Sequence, residues 1–105
     1  MIEINNITGI EEYSEREEKV GENSTRKIFY LPGTGKAFLV FNKNTLEIRT
    51  DFKLGKLLIE RYESVMRSRY FGKGGIEIVD SGQLKKTELE DLVRLSYNLT
   101  KEMVE

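Results

Sequence analysis

The 105-residue chain has no cysteine, no histidine and no tryptophan, and its one proline is Pro32. Without cysteine it forms no disulfide and offers no thiolate to a metal. Without histidine it lacks the commonest general base and the usual imidazole zinc ligand. An enzyme built from this set would have to work with carboxylates, lysine, tyrosine or serine, so the expectation is a protein that is not an enzyme and carries no cofactor or metal. No apolar run approaches the roughly 20 residues that cross a bilayer, and no basic-then-apolar signal pattern opens the chain. The expected compartment is the cytoplasm, with no membrane partner.

What is present fits one small domain spanning residues 1–105. Hydrophobic residues make up 38% and charged residues 33%, and the ten aromatics are five Phe and five Tyr. The core is therefore expected to lean on those rings. Net charge is −1 but unevenly spread: residues 1–25 balance at −5 and residues 26–105 at +4. An acidic, only partly ordered front segment ahead of a weakly basic body is the reading.

Periodicity places the elements. Met1–Ile4 alternates as a short strand. Thr8 and Glu11 have capping-box spacing, which suggests either a short helix over residues 9–20 or an irregular lead-in. Lys27–Leu31 is dense in β-formers, Pro32-Gly-Thr-Gly35 is turn chemistry, and Phe38–Phe41 is a continuous apolar strand, so a hairpin with a four-residue loop is predicted. Leu46 and Ile48 alternate with Glu47 and Arg49, giving a third strand. Asp51 is a good N-cap for a helix over residues 52–63 with Leu54, Leu57, Leu58 and Tyr62 inward, and Gly55 allows close packing on the sheet. Gly72–Gly75 reads as a flexible loop and Ile76–Asp80 as a strand. Thr87 and Glu90 frame a capping box for a last helix with Leu89, Leu92, Val93, Ser96, Leu99 and Met103 on one face.

Two motifs look chemical and are better explained by packing. Gly33-Thr-Gly-Lys36 matches the tail of a phosphate-binding loop, but Tyr30 stands where its first glycine belongs, Ala37 follows the lysine, and a strand rather than a helix comes next. Gly35–Phe41 has a faint likeness to the ring-bearing strand of an RNA-recognition domain, but Phe38 and Phe41 would fall on opposite faces of a regular strand. The acidic residues Glu11, Glu12, Glu15, Glu17 and Glu18 read as a solvated face. The candidate site is the basic and aromatic crossing from Arg61 to Lys73, where Glu63 is the one acid. Arg49, Arg61, Arg67, Arg69 and Lys73 would contact phosphates and Tyr70 would stack, the pairing of chemistries that nucleic-acid binding uses.

From Gly35 onward the chain resembles the MmcQ/YjbR-like family of small bacterial proteins. The motifs are Gly35-Lys-Ala-Phe38, Leu46-Glu-Ile-Arg-Thr-Asp51, Leu57 with Tyr62, Arg69, the strand over Ile76–Val79, and Leu92-Val-Arg-Leu-Ser-Tyr-Asn-Leu99 with its Ser96-Tyr97 pair. Ile76 stands where that family usually carries a tryptophan. The resemblance implies a compact α+β fold of double-wing type: an antiparallel β-sheet, a meander plus one further strand, packed against helices. It also implies a DNA-binding role proposed from shape, with no established reaction. Two partners remain open: nucleic acid held at the basic crossing, or a protein partner, including a second copy of the chain paired through an exposed sheet edge.

Overall fold

The computed structural model describes residues 2–104. After a single 3-10 turn at Ile4–Asn6 come β1 (Ser14–Lys19), β2 (Thr25–Tyr30), β3 (Ala37–Phe41), β4 (Thr45–Arg49), α1 (Phe52–Arg61), β5 (Val65–Ser68), β6 (Gly72–Val79) and α2 (Lys86–Glu102). The strands form one antiparallel sheet in the order β1-β2-β3-β4-β6-β5. The α+β class is as expected, with more strands than the periodicity revealed. Among the described residues no helix is long and apolar enough to cross a membrane.

Both helices lie on one face of the sheet, α2 over β3 and β4, α1 over β5 and β6. Cross-strand rows show how the sequence sorts its faces. Phe29, Leu39, Ile48 and Ile76 sit side by side, as do Phe41, Leu46, Ile78 and Val65, and both rows join the main core beneath the helices. The segment ahead of β1 is part of that core: Ile2, Ile4, Ile7 and Ile10 are buried in it. Tyr97 fastens this segment, donating from its hydroxyl to the Glu12 carbonyl at 3.0 Å and accepting from the Glu12 N–H at 3.3 Å.

Local signals held where side chains decide them. Asp51 caps α1 by accepting the Leu54 N–H at 2.8 Å. Gly55 is buried, and a Cβ there would come within 2.7 Å of the Thr50 hydroxyl, so α1 sits close on the sheet because this residue has no side chain. The Leu31 N–H to Lys36 carbonyl bond, 3.0 Å, closes the loop over Pro32–Gly35, with Gly33 and Gly35 at positive φ. That loop is hairpin geometry.

Several expectations need correction. Residues 2–4 form no strand, and Met1 lies outside the described residues. Residues 14–19 form the edge strand β1 rather than a helix, because six consecutive cross-strand pairs with β2 outweigh the helix preference of a Glu-rich stretch. Gly72–Gly75 is no loop but the first half of β6, with Gly75 opposite Arg49. Leu58 and Tyr62 pack on the core as expected, but Leu57 is 55% exposed and Ile59 packs inward instead. The buried stripe of α2 is Leu89, Val93, Ser96, Tyr97 and Thr100, rotated away from Met103, which is exposed. That helix starts at Lys86, and Glu88 rather than Glu90 closes its first turn, accepting the Lys85 N–H at 2.9 Å.

Phe38 and Phe41 do not fall on opposite faces. The β2–β3 register shifts between Phe29 and Tyr30, and the bulge turns both Phe38 and Phe41 toward the helices. At the same point β3 and β4 part. Arg49 N–H would ordinarily meet the Phe38 carbonyl; instead the Ser96 hydroxyl of α2 stands between them, accepting from Arg49 N at 2.8 Å and donating to Phe38 O at 2.6 Å. One small side chain satisfies both orphaned ladder groups.

Candidate nucleic-acid interface

The sheet face away from the helices carries a row that crosses all six strands: Arg16, Ile28, Val40, Glu47, Glu77 and Met66. Its middle is a second, smaller core of Ile28, Ala37 and Val40, roofed by Tyr30, Tyr70 and Phe71. Tyr70 and Phe71 come from the β5–β6 turn, which folds back beneath the sheet.

Buried carboxylates hold that turn. Glu47 and Glu77 are direct cross-strand partners, each 1% exposed. Two like charges so placed repel, and the surrounding donors offset this. Glu47 accepts from Ser68 Oγ (2.8 Å), the Tyr70 N–H (2.9 Å) and Asn42 Nδ2 (2.8 Å). Glu77 accepts from Thr45 Oγ1 (2.7 Å) and from the Arg69 fork through Nε (3.0 Å) and Nη2 (2.8 Å). Burial pushes the Glu77 carboxyl up, but the Arg69 fork and the Thr45 hydroxyl outweigh it and hold the group below the usual carboxylate range. These carboxylates tie the turn down, and each oxygen accepts from a protein donor.

Around the roof, guanidinium groups stack on rings. Arg16 lies 5.1 Å from the Tyr30 ring centre, Arg26 5.0 Å from Tyr70, and Arg49 4.7 Å from Phe71, while Tyr70 and Phe71 meet edge to face at 4.9 Å. Stacking of this kind fixes the plane of each guanidinium and leaves its N–H edges directed outward. Acids moderate the array. Glu18 bonds Arg16 at 3.2 Å and Arg26 at 2.9 Å, and the Arg26 bond foremost, joined by the Arg16 bond and the charges of both arginines, holds its carboxyl below the usual range against the opposing effect of desolvation. Arg49 has no carboxylate partner among the described residues; its Nε donates to the Ala37 carbonyl at 2.8 Å, and burial lowers its pKa from the usual arginine value.

The residues expected from sequence divide between the two faces. Arg49, Arg69 and Tyr70 lie on the open face. Arg67 pairs with Ile76 in the helix-face row and stacks on Phe52 of α1 at 5.2 Å. Arg61 ends α1, 5.9 Å from the Tyr62 ring centre. Lys73 is exposed in β6. The stretch from Arg61 to Lys73 is thus a helix end, a strand, a turn and a second strand rather than one crossing, and it does not form one patch. Arg16, Arg26, Tyr30 and Phe71 were missed. Their signal was period two: Arg26-Ile28-Tyr30 in β2, and Arg16 once residues 14–19 are paired as a strand.

No family model matches the chain, and no curated protein matches it. Among solved structures it is similar to the Deinococcus radiodurans protein DR2400, a domain of the DUF419 class, at a TM-score of 0.70 and 14% sequence identity, over 97% of this chain and 75% of that one. DUF419 is the domain class of the MmcQ/YjbR-like family. The likeness shows the fold.

Proposed function

We propose that this chain is a divergent MmcQ/YjbR-like domain acting as a non-enzymatic binding module that takes nucleic acid on its open sheet face. The observation that carries this reading is the interleaving of three guanidinium groups with three rings above Ile28, Ala37 and Val40. Phosphates are met by the N–H edges and bases by flat π surfaces, the two contacts that single strands offer along their length. The sequestered oxygens of Glu47 and Glu77 support a binding role over an acid–base one, since neither carboxylate reaches a substrate.

Anisotropy titration of labelled single- and double-stranded DNA and RNA across salt concentrations tests the proposal. With three to four guanidiniums engaged, log K against log salt has a slope near −2 to −3 for a single strand, about 0.7 per phosphate neutralised. Arg16→Ala/Arg26→Ala is expected to weaken binding at least tenfold. Arg61→Ala/Arg67→Ala removes the same charge from the other face and is expected to leave binding unchanged. Absence of binding at low salt, or equal loss in both variants, overturns the reading.

A protein partner is the second reading, favoured by one observation. β5 is a four-residue edge strand whose Met66 is 41% exposed on the open face. It predicts a molecular mass that rises with concentration in sedimentation and returns to the monomer value in Met66→Lys.

A further inference from the structure

We infer that the parted end of β3 and β4 is a binding site for a dianionic phosphate monoester, anchored by Arg49 and flanked by Lys36 and Lys73; resting on the open-face reading, the monoester is the terminal phosphate of a bound strand.

Of the four arginines on the open face, three are held by acids: Arg16 and Arg26 by Glu18, and Arg69 by Glu77. Arg49 is the exception. It is half-buried, its Nε is used by the Ala37 carbonyl and its ring-facing side by Phe71, yet its terminal N–H groups meet no carboxylate among the described residues. Buried charge is ordinarily paired, so a positioned, partly desolvated guanidinium with unused donors is a place for an anion from outside.

Geometry adds to this. The β3 bulge and the Ser96 bridge part the strands at Arg49, and bulges commonly re-aim side chains at binding sites. Lys36 adjoins the Ala37 whose carbonyl Arg49 holds. On the other side Gly75 is the register partner of Arg49, and the alternation Glu77, Gly75, Lys73 brings Lys73 to the same face. Neither lysine has an acid partner among the described residues. Arg49 with two lysines close by in sequence and register suits a charge near −2 better than the single charge of an internal phosphodiester. Toward α2 the same strand end opens on a cavity of about 280 Å³ lined by Thr50, Gly74, Leu99, Glu102 and Met103 besides Arg49. The carboxylate of Glu102 disfavours an anion there, which places the site on the open face.

The test compares one single-stranded oligonucleotide carrying a 5′-phosphate, a 3′-phosphate or neither, alongside inorganic phosphate followed by amide chemical shifts. For the wild type, one of the two phosphorylated ends is expected to tighten binding about tenfold, the yield of one charge-assisted fork contact. Arg49→Gln is expected to abolish that gain, so that phosphorylated and unphosphorylated strands bind alike, on top of a weakening common to all strands from the loss of one open-face guanidinium. Since Arg49 also supports Phe71 and Ala37, Lys36→Gln/Lys73→Gln provides a second variant that leaves those contacts in place, expected to lose most of the gain. Glu102→Gln is expected to leave it unchanged. Equal binding with and without end phosphates, or a gain that survives both cationic variants, overturns the site while the open-face reading stands. If inorganic phosphate binds in an Arg49-dependent way but no strand binds, the site stands and the polymer reading falls. If neither binds, both fall.

Discussion

Truncating Glu47 to alanine is expected to cost about 3–5 kcal/mol, the usual penalty for removing one partner of a buried charged network. The figure follows from what the carboxylate holds. Three donors lose their acceptor: Ser68 Oγ, the Tyr70 N–H and Asn42 Nδ2. Each bond to a charged group contributes about 1.5–3 kcal/mol, and the donors are too enclosed for water to replace the carboxylate fully, since Glu47 is 1% exposed and Ser68 is 4% exposed. Relief of the repulsion from Glu77 opposes this, but a cross-strand charge pair is worth only about 0.2–1 kcal/mol, and Arg69 already balances Glu77. The loss dominates. Against a domain stability of about 5–15 kcal/mol the variant remains partly folded, and with a urea slope near 1.5 kcal/mol per molar its midpoint falls by roughly 2–3 M. Glu47→Gln keeps an acceptor for Ser68 and Tyr70 and fails mainly toward Asn42, so it is expected to cost about 1–2 kcal/mol. Urea unfolding followed by far-UV circular dichroism and tyrosine fluorescence measures both. A Glu47→Ala variant within about 1 kcal/mol of wild type, or a glutamine variant as damaged as the alanine one, would refute the assignment of Glu47 as the tie that holds the β5–β6 turn.

Two further outcomes follow from the same contacts. Ser96→Ala strands the Arg49 N–H and the Phe38 carbonyl between parted strands, for a loss of about 2–3 kcal/mol; amide exchange at Arg49 then speeds up beyond the global change, whereas uniform acceleration would show that Ser96 only packs. Acid sensitivity is set by carboxyls held low in the folded state. Glu77 and Glu18 therefore contribute stability that is present above their unfolded pKa, near 4.3, and is lost as pH falls through their folded values. The urea midpoint is expected to be flat from neutral pH to about 5 and to drop below about 4.5, with Arg69→Gln removing the Glu77 share; a midpoint that rises on acidification contradicts the pairing.

Much of the helix-side architecture was legible because single residues dictate it. Asp51 caps α1, Gly55 is buried where a Cβ would strike Thr50, and Ser96 is the small residue on the sheet side of α2. What escaped was decided by distant partners. The stretch Ser14–Lys19 becomes a strand only because β2 offers its edge, and Gly72–Gly75 extends a strand because Gly75 pairs with Arg49 of β4 and Gly72 with Ser68 of β5. The faces of Phe38 and Phe41 depend on a bulge beside which Ser96, 58 residues from Phe38 along the chain, bonds the Phe38 carbonyl. Tyr97 is 4% exposed because residues ahead of β1 close over it.

The candidate site shows why a run of suggestive composition is a poor guide inside a sheet. Successive residues of a strand point to opposite faces, so a basic and aromatic run that becomes strands divides its cations between the two faces. Arg67 goes to α1 and Arg69, past the irregularity at the end of β5, goes to Glu77. A coherent surface instead arises from residues two apart on neighbouring strands, as with Arg26 and Tyr30 on β2, Arg16 on β1 and Arg49 on β4. Counting charges on that surface still misleads. Its four guanidiniums face Glu18, Glu47 and Glu77, and three of them already have carboxylate partners. On the proposed reading a polyanion would compete with these acids for Arg16, Arg26 and Arg69, whereas the terminal N–H groups of Arg49 have no carboxylate partner among the described residues. If the proposal holds, specificity on this face is governed less by how many arginines it displays than by which one lacks an acid among the described residues.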